Sequence, residues 1–403
     1  MTAFPDPAAV ADGLLAHCQR HDYAGHDPFD GLNSRLFRHS GLSRLPLARI
    51  AWLQFHKRSP INLRGLTGVP RKRNPKGIAL IILGLLEREY RVGDGASVTE
   101  ARALGNWLLE QRVDRVQWRH SAWGYHFDWA ARAFFVPVGM PNAITTCYAA
   151  RALYALGEAT GDSRFIDTAV DAGYFLDSLY MERDGSGYYA YIPGESAFVH
   201  NANLWVTAFV AETVRRSGDS SMLERALRAA ALSVSMQHDD GAWAYGLRSH
   251  HTFIDGFHTG YNLEALHRLR QAADTRCFDD AIDRGLEYYR NTFFTPDGTA
   301  KYYADRIWPL DMHSFAQALI TLLTVSPLES DRPLARRVFD RAIQTLYLPG
   351  ERRFAYQRTA RSFNRVDYLR WTQAWAFYSI GLLANHIQPK APSSHSLSQR
   401  AHA

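Results

Sequence analysis

Through most of the chain, apolar residues recur at intervals of three and four, the spacing that lines one face of a helix. One such run spans about Ala8 to His21, and the pattern returns over 75–112 with a polar break inside it. Further on, the runs come in pairs. Asn142 to Glu158 stops at Thr160-Gly161-Asp162 and resumes from Phe165 to Tyr180. Asn201 to Arg216 stops at Ser217-Gly218-Asp219 and resumes from Met222 to Gln237, and Phe257 to Ala273 stops at Asp274-Thr275 and resumes from Phe278 to Phe293. Another pair fits 312–347, followed by a last helix over 368–385. Short Gly-Asp connections imply antiparallel neighbours, so the unit is a helical hairpin.

The hairpins keep a fixed period. Asp255, Asp311 and Asp367 lie 56 residues apart and each precedes a helical run; one interval earlier stands Val199, just before His200-Asn201-Ala202-Asn203. Gln317 and Gln373 keep the interval, with Tyr261 one step before them. A regular period fixes architecture before any single motif is trusted. Six inner helices but five outer partners result, unless the run from Ala8 to His21 supplies the sixth by closing a ring. The predicted fold is therefore all-α, an (α/α)6 toroid of helical hairpins with aromatic-rich loops at one end; an open solenoid is the alternative. Residues 1–74 read as an N-terminal helix and basic arm packed on the barrel, 75–385 as the toroid, and 386–403 as a disordered C-terminal tail.

The links from outer to next inner helix also repeat. They hold Ala122-Trp123-Gly124-Tyr125, Asp184-Gly185-Ser186-Gly187-Tyr188-Tyr189, Asp240-Gly241-Ala242-Trp243-Ala244-Tyr245, Asp297-Gly298 leading to Tyr302-Tyr303, and Phe354-Ala355-Tyr356. The Asp-Gly pairs are turn punctuation. An aromatic in every link either caps the barrel or forms a ring of flat faces suited to sugars, on loops carried by a rigid scaffold.

Composition narrows the classes. With 403 residues, 46% hydrophobic and 13% aromatic, the chain buries a large core. Its longest apolar stretch, Gly77 to Leu86, is well short of the ~20 residues that span a bilayer. The N-terminus has no Lys or Arg before Arg20, unlike a secretory signal, so a cytoplasmic location is expected. Cys18, Cys147 and Cys277 stand far apart, against a disulfide framework or structural zinc. The net charge of +6 is uneven: Lys57, Arg58, Arg64, Arg71, Lys72, Arg73 and Lys76 form a run without an acid, and the rest of the chain is nearly neutral. The arm at 57–76 is either solvated, packing Ile61, Leu63, Leu66 and Val69 on the body, or faces an anionic polysaccharide or membrane surface. No nucleic-acid motif accompanies it.

Six hairpins together with Gly124-Tyr125-His126-Phe127-Asp128-Trp129, His200-Asn201-Ala202-Asn203 and Asp255-Gly256-Phe257-His258-Thr259-Gly260-Tyr261-Asn262 resemble the six-hairpin glycosidase superfamily over about 75–385. More narrowly, the chain resembles bacterial members of that superfamily associated with surface-polysaccharide gene clusters. Relatives include unsaturated glucuronyl hydrolases, uronate lyases and glucuronyl C5-epimerases. The resemblance implies the toroid and carbohydrate chemistry without choosing the reaction, and no catalytic pattern of these subfamilies transfers residue by residue.

The first expectation is a glycoside hydrolase acting on a polysaccharide or oligosaccharide, a reaction that needs two carboxyl groups astride the scissile bond. Asp128, Asp255, Glu264, Asp305 and Asp311 are the candidates. Asp128 leads, because partial burial between Phe127 and Trp129 favours a protonated acid; an N-cap or an ion pair with Arg132 is the structural reading. Asp255 pairs with it, since His258, Tyr261 and Asn262 follow on the same helix, although Asp255 and Asp311 are also natural N-caps. The rival chemistry removes the proton α to a uronate carboxylate with a Tyr or His base and an amide, His or Arg to steady the enolate. A third reading is a glycan-binding or assembly factor without catalysis. Catalytic candidates are thus Asp128, Asp255, His258 and Tyr261; substrate-binding candidates are Trp123, Tyr125, His200, Asn201, Tyr245, Asn262, Trp308, His313, Gln317 and Arg370. The mouth residues His200, His258 and His313 have no paired ligand spacing, so no metal is assigned. With no G-x-G-x-x-G, Walker or G-x-S-x-G sequence, no cofactor is assigned either. Gln237 to Trp243 resembles the Gln-Trp repeats of terpenoid cyclases, but it occurs once and without their acidic signature.

Overall fold

The computed structural model of the protein describes residues 4–130, 135–183 and 185–387. The expected tail from 388 on, Arg132 and Asp184 lie outside them. The helices are α1 (Pro7–Arg20), three short ones in the arm, α2 (Arg35–His39), α3 (Pro46–Arg58) and α4 (Arg64–Thr67), then α5 (Pro75–Val92), α6 (Ala96–Glu110), α7 (Ala143–Thr160), α8 (Ser163–Asp177), α9 (His200–Ser217), α10 (Leu223–Ser235), α11 (Gly256–Ala272), α12 (Asp279–Phe293), α13 (Met312–Thr324), α14 (Asp331–Leu346) and α15 (Ala374–Ile387). One π-helical turn, Leu369–Gln373, leads into α15.

The Gly-Asp breaks work as a relay. Gly161 ends α7 in the left-handed region at φ 69°, and the Asp162 carboxylate then accepts the Arg164 amide to start α8. Gly218 at φ 75° and Asp219, which accepts from Ser221, repeat the device after α9. A left-handed C-terminal residue favours glycine, and an acidic N-cap satisfies free amides, so the two residues turn the chain through a tight corner.

The inner helices α5, α7, α9, α11, α13 and α15 pack each on the next, and α15 packs back on α5. The outer helices α6, α8, α10, α12 and α14 lie on their own hairpin partners, and α1 lies on α15 as the sixth. The ring is closed, and the solenoid is excluded. Inner α5 is apolar on every side from Gly77 to Leu86, with Ile78 to Ile82 sealed from water, whereas outer α12 buries one stripe, Ile282, Leu286, Tyr289 and Phe293. At the closing seam the Phe377 ring of α15 lies directly on the α5 backbone: a Cβ at Gly84 would lie 2.5 Å from it.

Short antiparallel ribbons stiffen the links: β1 (Trp129–Ala130) with β2 (Phe135–Val136), β3 (Tyr180–Arg183) with β4 (Ser186–Tyr189), and, after β5 (Leu310–Asp311), β6 (Tyr347–Leu348) with β7 (Arg353–Phe354). β8 (Gln357–Arg358) joins β5 to β9 (Phe363–Asn364). Among the described residues no helix is long and apolar enough to cross a membrane.

The arm builds a small core of its own, Leu32, Phe37 and Leu53, with Trp52 stacked on Phe37 at 5.1 Å between centroids. Here the sequence expectation needs correction twice. The run of seven cations is not one surface, because Arg64 is fully buried and Lys76 points into the ring. Nor do Ile61 and Leu66 pack on the body: they are 68% and 87% exposed, while Val69 is buried.

Candidate active site

All six inner helices start at the same end of the ring, where the long links emerge. The Asn74 side chain caps α5, Asn142 caps α7, Asp255 caps α11 and Asp311 caps α13. Asp367, third in the 56-residue series, caps nothing; its carboxylate meets His17 at 2.9 Å and accepts from Gln373 at 2.9 Å.

Below this mouth the ring axis is aromatic and polar together. The Lys76 ammonium lies 4.2 Å from the Tyr148 ring centroid, 5.1 Å from that of Trp375 and 5.4 Å from that of Tyr261. Burial, then the nearby Arg370, hold its pKa well below the ordinary lysine range. Arg151 donates to buried Glu264 at 2.9 Å and to the Tyr378 hydroxyl at 2.7 Å, and Gln317 donates to Glu264 at 3.1 Å. Several buried polar atoms here have no partner among the described residues: the Tyr148 hydroxyl, Asn201 Oδ1, Asn262 Oδ1, Gln317 Oε1 and the indole nitrogens of Trp205 and Trp375. Orphaned groups of this kind demand an explanation, and sugar hydroxyls or ordered water would satisfy them.

Two histidine pairs stand above the axis. His258 Nδ1 meets Asp255 Oδ2 at 2.7 Å, while Asp255 Oδ1 accepts the His258 amide at 2.8 Å. A carboxylate at Nδ1 selects the tautomer with the proton there and leaves Nε2 free as a base. The His258 side chain is 21% exposed and Tyr245 packs on it at 4.5 Å. Tyr261 hydrogen-bonds His313 Nε2, and burial pushes the phenol well above its ordinary value. Asp311 is the other notable acid. It accepts from the His313 amide at 2.9 Å, from Gln357 at 3.1 Å and from Trp371 at 3.3 Å, yet burial pushes its carboxyl up to about 7.

The arm lies across this mouth. Asp27 holds Arg370 through two bonds of 2.5 and 2.8 Å, both side chains being buried. Arg64 donates to Asp30 at 2.6 Å, to the Tyr368 hydroxyl at 2.7 Å and to the Asp27 carbonyl at 2.9 Å. Phe29 packs edge-on to Trp371 at 5.3 Å, and the Lys57 ammonium lies over the Phe29 ring at 4.5 Å. Between α3 and the last links a cleft of about 300 Å³ remains, lined by Lys57, Arg58, Tyr302, Tyr303, Tyr356 and Gln357 among others. Through Gln357 its wall touches Asp311.

The structure gathers Asp255, His258, Tyr261, His313, Arg370 and Tyr245 at the mouth. It seals His200, Asn201, Asn262 and Gln317 along the axis and buries Tyr125, whose hydroxyl meets that of Tyr191 at 2.8 Å. Trp308 is partly exposed in its link. Two candidates depart from expectation. Trp123 is wholly buried and donates its indole N–H to the Leu108 carbonyl at 2.8 Å, as Trp243 does to Ser233 at 3.0 Å. Each satisfies a carbonyl in the last turn of the preceding outer helix, so neither face is offered to a sugar. Asp128 accepts from Arg38 of the arm at 3.0 Å and from the Val138 amide at 2.7 Å, which makes it a staple between arm and link. No local motif marks Lys76, which the sequence shows only as one of a run of cations, or Asp27 as residues of this site. Sequence inspection passed over the His-x3-His pair of α1: His17, His21 and Asp367 bring ligand atoms within 4.8 Å of one another and could hold a metal ion.

No family model matches the chain, and no curated protein does. Solved structures do. Cellobiose 2-epimerase from Spirochaeta thermophila superposes with a TM-score of 0.57 at 13% identity, covering 78% of this chain and 87% of that one. An unsaturated glucuronyl hydrolase specific for heparin gives 0.59 at 11%, covering 94% and 97%. An inactive α-1,6-mannanase variant from Salegentibacter, in complex with α-1,6-mannotriose, gives 0.58 at 13%, covering 94% and 99%. At these identities the likeness shows the fold alone, the closed (α/α)6 toroid described above.

Proposed function

We propose that the protein is a carbohydrate-active enzyme that removes a proton from a sugar carbon next to a carbonyl, as in epimerisation or elimination. The observation that carries this reading is the His258–Asp255 pair, a base oriented by a buried carboxylate and open to solvent at the mouth. His258 Nε2 takes the proton from carbon, and the C–H electron pair moves into the carbonyl to give an enediolate. Tyr261 stays protonated and donates to the developing oxyanion, with His313 as its positioning residue. Returning the proton to the opposite face gives the epimer; expelling the substituent on the next carbon gives the unsaturated product. Lys57 and Arg58 beside the aromatic cleft favour an acidic sugar. The structural neighbours, which include an epimerase and a glucuronyl hydrolase by name, support carbohydrate chemistry in general.

A second reading rests on Asp311. A carboxyl pushed up to about 7 is a fit general acid for glycoside hydrolysis. Incubating neutral and uronate-containing oligosaccharides in D2O separates the two. Carbon-bound deuterium, reduced by about 10² or more in His258→Ala and Asp255→Asn, supports proton abstraction. New reducing ends with no exchange, lost in Asp311→Asn, establish hydrolysis instead.

A further inference from the structure

The outer side of the arm reverses the usual amphipathic arrangement. On α3 the buried positions are Leu53 and His56, while Leu47, Ala51 and Phe55, spaced by four, project to solvent with Arg58 beside them. Leu47 is 81% exposed. Next to α3 the short helices α2 and α4 lie together, the Arg35 amide donating to the Gly68 carbonyl, and Leu36 and Leu66 project from them. Lone exposed leucines are ordinary on a protein surface; a concentration of them on one small helical subdomain is not.

The charge on this subdomain has one sign. No acid occurs between Asp30 and Glu87. Arg35, Arg44, Arg58, Arg71 and Lys72 are exposed, and Arg44, Arg58 and Lys72 form no ion pair among the described residues. The inner side of the arm is committed to the ring through Asp27, Asp30 and Arg64. Its outer side therefore faces away from the body as a surface both apolar and cationic.

We infer that this outer face docks on an anionic lipid bilayer, with Leu47, Phe55 and Leu66 entering the headgroup boundary and the arginines meeting lipid phosphates. Interfacial helices combine these two features, buried apolar area plus attraction to anionic lipid. A second copy of the chain fits poorly, since a two-fold interface sets this cationic face against itself. Nucleic acid accounts for the cations but leaves the aliphatic side chains without a role. The inference is independent of the reaction proposed above.

Sedimentation of the full chain with phosphatidylcholine vesicles, with and without phosphatidylglycerol, tests it. Binding to the anionic vesicles alone is expected, weakened about tenfold or more by Leu47→Asp/Phe55→Asp and, at low salt, by Arg35→Gln/Arg44→Gln. These positions are exposed, so an unchanged melting temperature shows that the variants fold. Absence of binding to anionic vesicles at low salt overturns the inference. So does binding that both variants leave intact, concentration-dependent dimerisation abolished by the leucine and phenylalanine changes, or retention by RNA without retention by vesicles.

Discussion

On α5 of the ring, Ile78 to Ile82 are sealed from water, whereas in the arm Leu47 and Leu66 are 81% and 87% exposed. The contrast extends to charge. In the ring, Arg151 and Glu264 pair in the interior of the barrel, and in the arm the one buried cation, Arg64, is spent on fixing the arm to the mouth. Long helices stacked in a closed ring can bury every apolar face. The arm's α2, α3 and α4, of 5, 13 and 4 residues, close no such ring, and much of what they bury is chosen by the surface beneath them. The difference teaches that the arm's small core of Leu32, Phe37 and Leu53 does not cover its apolar residues, and that contact with the site fixes what the core does not.

The sharpest way to break that dependence is at Asp27–Arg370. Arg370→Leu leaves a buried carboxylate without its partner, which is expected to cost about 3–5 kcal/mol in denaturant unfolding. Adding Asp27→Leu should recover most of the loss, because removing both charges removes the desolvation penalty as well. If the double variant stays as unstable as the single one, the arm is held by something other than this pair.

Within the ring the expected effect is a packing one. Ile81→Ala removes fully buried methylenes and is expected to cost about 2–5 kcal/mol, read from the urea midpoint at constant slope. A loss below about 1 kcal/mol would mean that the seam between α5 and α15 collapses around the gap.

These two regions were not equally legible in the sequence. The ring could be read because its signals are local: apolar spacing, glycine stops and aspartate starts recur hairpin after hairpin. The arm could not, because the direction of its side chains is decided by partners far along the chain. Arg64 turns inward to Asp30 and Tyr368, and Lys76 to Tyr148, Tyr261 and Trp375. At the site, the His258–Asp255 pair was legible from spacing on one helix. Trp123 was not, since an indole that caps the carbonyl of Leu108 and one that faces a sugar look alike in sequence. Asp128 likewise owes its place to Arg38, 90 residues away.

Asp311 offers a test in which the effect grows and fades with pH. Burial raises its carboxyl from 3.8 to about 7. Between those values the native chain holds a proton that the unfolded chain has released, so stability falls as pH rises, by up to ~1.4 kcal/mol per unit. The contribution is complete below about pH 4 and lost above about pH 7. Asp311→Asn should therefore gain on the native protein between about pH 4 and pH 7 in paired denaturation curves. Parallel pH profiles for the two proteins would show that Asp311 carries its charge in the fold at neutral pH.

The smallest expected effect is on the exposed side of the comparison. Leu66 stands on α4 next to exposed Gly65, while Arg64, two residues earlier, is buried. Truncation to alanine removes apolar surface that water already reaches, so no cavity forms and no contact is lost. Leu66→Ala is expected to change unfolding free energy by less than about 0.5 kcal/mol, against the several expected at Ile81. Thermal melts of both variants in one buffer make the comparison directly. A loss at Leu66 approaching that at Ile81 would mean that the arm folds over this leucine in solution, which would close the docking face and return the arm to the pattern of the ring.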